Sequence, residues 1–383
     1  MIFRYEVDCS LCHANPSRIV WPRSPPLARA FEIRGIMSGI IGHSIYAVLG
    51  AKAATQRGLG IAAIAARNFP SYLAGAYLGC DIQVMPEAIC VDTGREVGFG
   101  TVPLAQSPLT GGAVRPWALK HEGREYRPME IHELFYGRTH LVFGWAQAER
   151  THTLPWDHLQ DYFADVLEDT LDLFGPSERA IAYVLGWMAH VVGDSLIKSR
   201  HPGLDLHLLD GKYTPRNRPI QDLVTFHEIG IKEFHLDWPA LLADLAATAV
   251  EPVQFHYMRI AEPRGQIARE FPEIWDPAKR SLLGAVLAEN RRWCAFHVRE
   301  VLKEMELKPG PNGRPDCNEA FRRSLGLNYD QMVALAEKAK FRQALTQIGE
   351  AIADMMEASV RRPARLTKLA REPGPYWAAW RRQ

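Results

Sequence analysis

Residues 176–201 read PSERAIAYVLGWMAHVVGDSLIKSRH, and the reading of this stretch decides the fold. Pro176 and Ser177 are helix-start residues, and the pattern that follows predicts a helix of about seven turns. Its apolar residues cover nearly the whole circumference, so it is expected to be a central helix, packed on all sides. A core helix has little use for His190 and Asp194. At a spacing of four they share one face and converge on one point, and His201 follows just beyond. A buried imidazole hydrogen-bonded to a carboxylate would account for the pair alone.

Other polar residues stand in equally apolar settings. His43 is embedded in GIIGHSIYAVLG, Asp81 follows AYLGC, and His140 precedes LVFGWA. Each could be a satisfied core group, but together they are better explained by a shared partner. A dication is such a partner, and imidazole with carboxylate suits zinc.

These segments, in this order, resemble the zinc-dependent phospholipase C family. That family includes the catalytic domain of glycosylphosphatidylinositol-specific phospholipase D and is related to the zinc-dependent single-strand nucleases. The H-x-x-x-D pair with a following His is similar to the family's central motif, and AGAYLGCDI resembles its segment ending in a ligand Asp, with Cys80 where Pro is common. GRTH resembles the segment that supplies a ligand His, and GIIGH resembles the mature amino terminus. The likeness covers about residues 37–235. It implies an all-helical fold with a long loop or small β-hairpin insertion, and two or three zinc ions in a cleft. Asp81, His140, His190 and Asp194 would hold one ion, with Asp194 bridging to a second that His43 and a free amino terminus complete. Asp81 and Asp194 are then the catalytic carboxylates, with Asp81 placed to orient or deprotonate a water. His201 would bind the remaining ion together with His227 and Glu228, although Ile231 stands one turn after His227 where the family has an acid. Glu228 is adjacent to His227, and neighbouring helical side chains diverge by about 100°. Asp222, Asp205 and His207 are substitutes within reach, and a surface pair on an amphipathic helix is the other account of His227 and Glu228.

Composition narrows the classes. Lys plus Arg number 45 and Asp plus Glu 44 in 383 residues, so no global field attracts nucleic acid or anionic membrane. Six cysteines form no dense framework and fit reduced thiols at least as well as disulfides. No stretch of about 18 uncharged apolar residues marks a membrane span. The first residues, MIFRYEVDCS, carry charges where a signal peptide needs an apolar core. The expectation is a soluble chain, cytoplasmic by default, although the resembled family is largely secreted. CSLCH at residues 9–13 matches a haem-attachment pattern, which belongs to exported proteins; the match is short enough to be chance.

Three regions follow: an irregular Pro/Arg-rich extension over 1–36, a phospholipase C-like helical domain over 37–240, and a helical region over 241–383 packed on the same core. Residues 83–128 are rich in Gly, Pro and Thr and read as a long loop with a β-hairpin, of the kind that sets substrate specificity. Phe99, Trp117, Tyr126 and Tyr136 are aromatic residues able to line a cleft. The tail after residue 360 mixes Trp with Arg; it suits a solvated end or peripheral membrane contact. The expected activity is hydrolysis of a phosphodiester, most simply a phospholipid head group, by a metal-activated water. A single-strand nuclease is the nearest alternative, which the lack of a basic groove interleaved with aromatics disfavours. A helical protein that keeps metal for stability alone is the more distant one.

In the resembled family the free amine that binds zinc lies five residues before the first ligand His. Counting back from His43 gives Ser38, which Met37 precedes. Removal of Met37 after initiation there would expose that amine. Mass spectrometry of the natively produced protein is expected to find a Ser38 terminus; fully active protein with an intact Met1 would exclude it.

Overall fold

The computed structural model describes residues 38–77, 86–91, 96–99, 106, 112–128, 130–131, 156–197, 217–248 and 277–360. Asp81, His140, His201, the extension before Ser38 and the tail after Val360 lie outside the described residues. The order is α1 (Ser38–Gln56), α2 (Gly60–Arg67) and α3 (Phe69–Tyr77), then short strands β1 (Pro86–Cys90), β2 (Glu96–Phe99), β3 (Val114–Pro116), β4 (Leu119–His121) and β5 (Arg124–Tyr126). Next come α4 (Trp156–Phe174), α5 (Glu178–Ile197), α6 (Arg218–Val224), a π-helix (Thr225–Glu233), α7 (Trp238–Ala247) and α8 (Pro277–Met305). The hairpin β6 (Lys308–Pro309) and β7 (Pro315–Asp316) precedes α9 (Glu319–Leu325), α10 (Tyr329–Lys338) and α11 (Phe341–Val360).

The fold is mostly helical, as the sequence predicts, with more strand than one hairpin. β1 pairs antiparallel with both β2 and β3, and β4 pairs with β5. Ile89 and Leu119 from these strands, with Trp117 between β3 and β4, pack with Leu282, Val286 and Leu287 of α8, a separate small core. Several breaks fall where local chemistry requires them. Gly175 ends α4 at φ +65°, a conformation that costs glycine little. Pro70 stands inside the start of α3, where its missing N–H is no loss. The long amphipathic stretch from Tyr329 divides at Ala339–Lys340, with Lys340 at φ 56°.

α5 is the centre. Every residue from Ala180 to Ile197 is buried, and the main core around it runs from Ile40 of α1 to Met356 of α11. α5 is long and apolar enough to cross a membrane, but its apolar window is wholly buried by protein, as a central core helix requires. Its tightest neighbour is α3. A Cβ on Gly75 would lie 2.0 Å from the Tyr183 carbonyl oxygen, and one on Gly186 would lie 1.8 Å from that of Tyr72. The two helices therefore meet backbone to backbone, each glycine receiving the other's carbonyl. Tyr72 also ties α3 to α1, donating its hydroxyl to the Ala47 carbonyl at 3.0 Å. At the start of α5, Glu178 accepts from Arg67 Nε at 2.9 Å and from Asn68 Nδ2 at 3.1 Å. These contacts fix α5 in rotation and height, and hence fix where its polar pair points.

Gly186 lies one turn before His190, so its contact sets the imidazole's position. Gly186→Ala or Gly75→Ala must push the two backbones apart and is expected to cost about 3 kcal/mol or more. Urea denaturation of each variant measures this; a loss below about 1 kcal/mol would show that the helices do not meet this closely.

Candidate metal centre

α1 and α5 bring together residues far apart in sequence. His43 Nε2 donates to Asp194 Oδ1 at 3.2 Å, and His190 Nε2 stands 3.8 Å from Asp194 Oδ2. The two imidazoles meet edge to face, with ring centres 4.2 Å apart. His43 is 7 % exposed, His190 0 % and Asp194 3 %, so the group is sealed from bulk solvent. Gly193 makes the approach possible, since a Cβ there would lie 2.5 Å from the Tyr46 ring of α1. The ring of Tyr77 at the end of α3 lies 6.1 Å from that of His43 and stacks on His297 of α8 at 6.4 Å.

One ligand atom from each of His43, His190 and Asp194 lies within 4.8 Å of the others, and the group is able to hold a metal ion. Two ligands on one tetrahedral zinc stand about 3.3 Å apart, given bonds of about 2.0–2.1 Å. The His43–Asp194 separation meets this as it stands, and the His190–Asp194 separation meets it with a small closure. Asp194 turns one oxygen toward each imidazole.

A small cavity adjoins the group. Gly42, His43, Asp194, Gln221, Asp222 and Thr225 contribute to its walls, the last three from α6 and the start of the π-helix. Its volume, about 10 Å³ for the centre of a water-sized sphere, suffices for one water or one ion. Behind Asp222, the carboxyl of Glu304 is mostly buried. Burial pushes it up to about 8, with Glu300 and Asp222 adding to the rise, so it is protonated at neutral pH.

His227 and Glu228 stand apart from the three-residue group. The His227 ring donates from Nε2 to the Met305 carbonyl at 2.6 Å and packs against Phe226 and Tyr329. Burial, the largest influence, lowers its pKa. Glu228 accepts from Lys232 at 2.7 Å and from the Tyr329 hydroxyl at 2.6 Å. Burial works to raise the pKa of Glu228, but these two hydrogen bonds outweigh it and hold the carboxyl below its usual value. The π-helical winding of this segment also alters the helical spacing on which any partner one turn after His227 would be sought. Asp81, His140 and His201 lie outside the described residues.

Sequence reasoning passed over Gln221, Thr225 and His297. The signal for His297 was available: Asn290, His297 and Glu304 recur every seven residues along α8, a polar line on a face otherwise occupied by Trp293, Cys294 and Val301. Comparison with protein-family models, with curated proteins and with solved structures finds no match.

Burial pushes the His297 imidazole down to about 4. The unfolded chain therefore takes up a proton near pH 6.5 that the folded chain refuses. The stability this neutral imidazole contributes is complete above pH about 6.5 and lost as pH falls toward about 4, by about 3 kcal/mol. Urea midpoints at pH 7 and pH 4.5 should show a smaller acid loss in His297→Gln than in the parent. Equal losses would show that His297 titrates normally.

Proposed function

We propose that the protein is a zinc-dependent hydrolase of phosphodiester bonds, of the phospholipase C type and acting on phospholipid head groups. The observation that carries this reading is the buried His43–His190–Asp194 group, assembled from two helices and 151 residues of separation. Its two nitrogens and one carboxylate are a donor set suited to zinc, and catalytic zinc sites commonly have three protein ligands with one position open. Bound zinc supplies an acidified water and charge compensation on phosphoryl oxygens. The chain's own part is positional. Asp194 holds both imbedded imidazoles in one orientation, the Gly193–Tyr46 contact keeps α1 against α5, and the surrounding apolar core keeps water from competing for the ligands. Two or three ions, and roles for Asp81, His140 and His201, belong to the same proposal and rest on the sequence resemblance.

One observation favours a second reading, in which the ion serves stability alone: all three ligands are almost fully buried, as in closed structural sites.

Metal analysis with a paired assay decides between them. Purified protein is expected to carry zinc and to turn over a phosphocholine ester in preference to single-stranded DNA. Asp194→Asn and His190→Ala should lose zinc and activity together, with metal affinity reduced on the order of 100-fold or more. Zinc with a large loss of stability on chelation, and no turnover of either ester, would support the structural reading. Full zinc occupancy in Asp194→Asn would exclude this group as the site.

A further inference from the structure

The walls of the cavity beside the group include Asp194 and Asp222, the Gln221 amide, the Thr225 hydroxyl and the His43 ring. Every one of these side chains is more than nine-tenths buried. Two of their atoms, Gln221 Nε2 and His43 Nδ1, have no hydrogen-bond partner among the described residues. A buried polar group left unsatisfied costs about 1–3 kcal/mol, so native cores seldom keep one without something to complete it.

The chemistry of the walls selects the occupant. Gln221 Nε2 is an N–H donor, so the occupant must accept a hydrogen bond. A metal ion cannot. An anion can, but it would stand against the Asp194 and Asp222 carboxylates with no lysine or arginine in the walls. A water accepts from the amide and donates to a carboxylate, and a volume of about 10 Å³ admits one. Both Asp194 oxygens face imidazoles, that of His43 at 3.2 Å and that of His190 at 3.8 Å. Asp222 is therefore the carboxylate that receives the water, since a carboxylate has about four lone-pair sites and can take a further hydrogen bond.

We propose that this cavity holds one ordered water, and that Gln221 and Asp222 of α6 act through it as positioning residues for the His43 imidazole. It rests on the reading of His43, His190 and Asp194 as a metal group. His43 turns Nε2 toward Asp194. The partner of its other nitrogen, Nδ1, then sets the tautomer and the orientation of the ring. In the metal-free protein Nε2 carries the proton and donates to Asp194, while Nδ1 accepts from the water. When Nε2 is given over to a metal, the proton sits on Nδ1 and is donated to the water, which in turn donates to Asp222. The imidazole stays neutral throughout, its proton moving from one nitrogen to the other. The water turns to suit either state, because in both it accepts from Gln221. A carboxylate reaching a ligand imidazole in this way is the outer support that metal-binding histidines require.

The test uses the full chain, with nitrogen-15 spectra of its histidines in the metal-free and zinc-loaded states and a crystal structure of the zinc-loaded protein grown with excess manganese. The expected crystal result is one oxygen within about 3.2 Å of both Gln221 Nε2 and His43 Nδ1, with no manganese anomalous signal. An anomalous peak in the cavity, or a cavity without ordered density, overturns the proposal. In the spectra, zinc is expected to switch His43 from the Nε2–H to the Nδ1–H tautomer. Gln221→Leu, which removes the donor at similar volume, and Asp222→Asn should each shift the His43 Nδ1 resonance and weaken zinc about tenfold. A merely structural role would change the unfolding midpoint alone, so an unmoved Nδ1 resonance in both folded variants overturns the positioning role. The parent crystal and spectra decide even where a variant does not fold. Parent protein that takes up no zinc overturns the metal reading and this positioning role with it, whereas a missing water beside bound zinc overturns the present proposal alone.

Discussion

A carboxylate in the middle of a core helix is the constraint on which the rest of this structure turns. Asp194 is 3 % exposed on a helix whose other residues are almost all buried. Removing an unpaired carboxylate from water is expensive enough that proteins pair it, coordinate it or protonate it. The packing of α1 against α5 serves that requirement, because His43, which comes from α1, meets the carboxylate at 3.2 Å. His190 adds a second imidazole from the same helix as Asp194. Those contacts set two imidazoles beside the charge in the helix's most buried stretch.

Bringing a donor from another helix so close requires small residues at the crossings. Gly193 admits the Tyr46 ring beside Asp194, and Gly75 and Gly186 admit each other's neighbouring carbonyls one turn before His190. Glycine in a helix interior costs about 1 kcal/mol relative to alanine. At these crossings the cost is offset by close packing. The polar group and the glycines are therefore parts of one arrangement: the glycines set the distances, and the histidines and the aspartate exploit them.

Much of this was legible in the sequence. The apolar circumference of residues 178–197 marked a central helix, and the four-residue spacing marked His190 and Asp194 as convergent. His43 was legible from its apolar setting, although no periodicity within α1 could say that it faces α5. What sequence could not supply was the meeting of α6 with the group. Asp222 was within reach as a substitute ligand, but Gln221 looks like an ordinary helix-surface residue in PIQDLV, and only the three-dimensional packing of α6 on α1 and α10 buries both. The opposite holds for His227 and Glu228. The resemblance suggested a shared site for them although adjacent helical side chains diverge, and π-helical winding and the partners Met305, Lys232 and Tyr329 draw them to other contacts.

Gly42 bears on what the cavity is for. It lies within α1 immediately before His43, where alanine would favour the helix by about 1 kcal/mol. Unlike Gly186 and Gly193, it is not held by a close approach: a Cβ there would have the Tyr46 hydroxyl oxygen as its nearest neighbour at 3.5 Å, an ordinary contact. Packing thus does not account for the missing side chain. Gly42 does line the cavity, and a methyl group at its edge would take up a substantial part of a space only large enough for one water or one ion. A core selected for stability alone fills such a space, since apolar voids forfeit dispersion contacts on every wall. Here the walls set carboxylate, amide, hydroxyl and imidazole groups beside Tyr46, Phe341 and Leu345, and the residue that could have filled the gap is the one without a side chain.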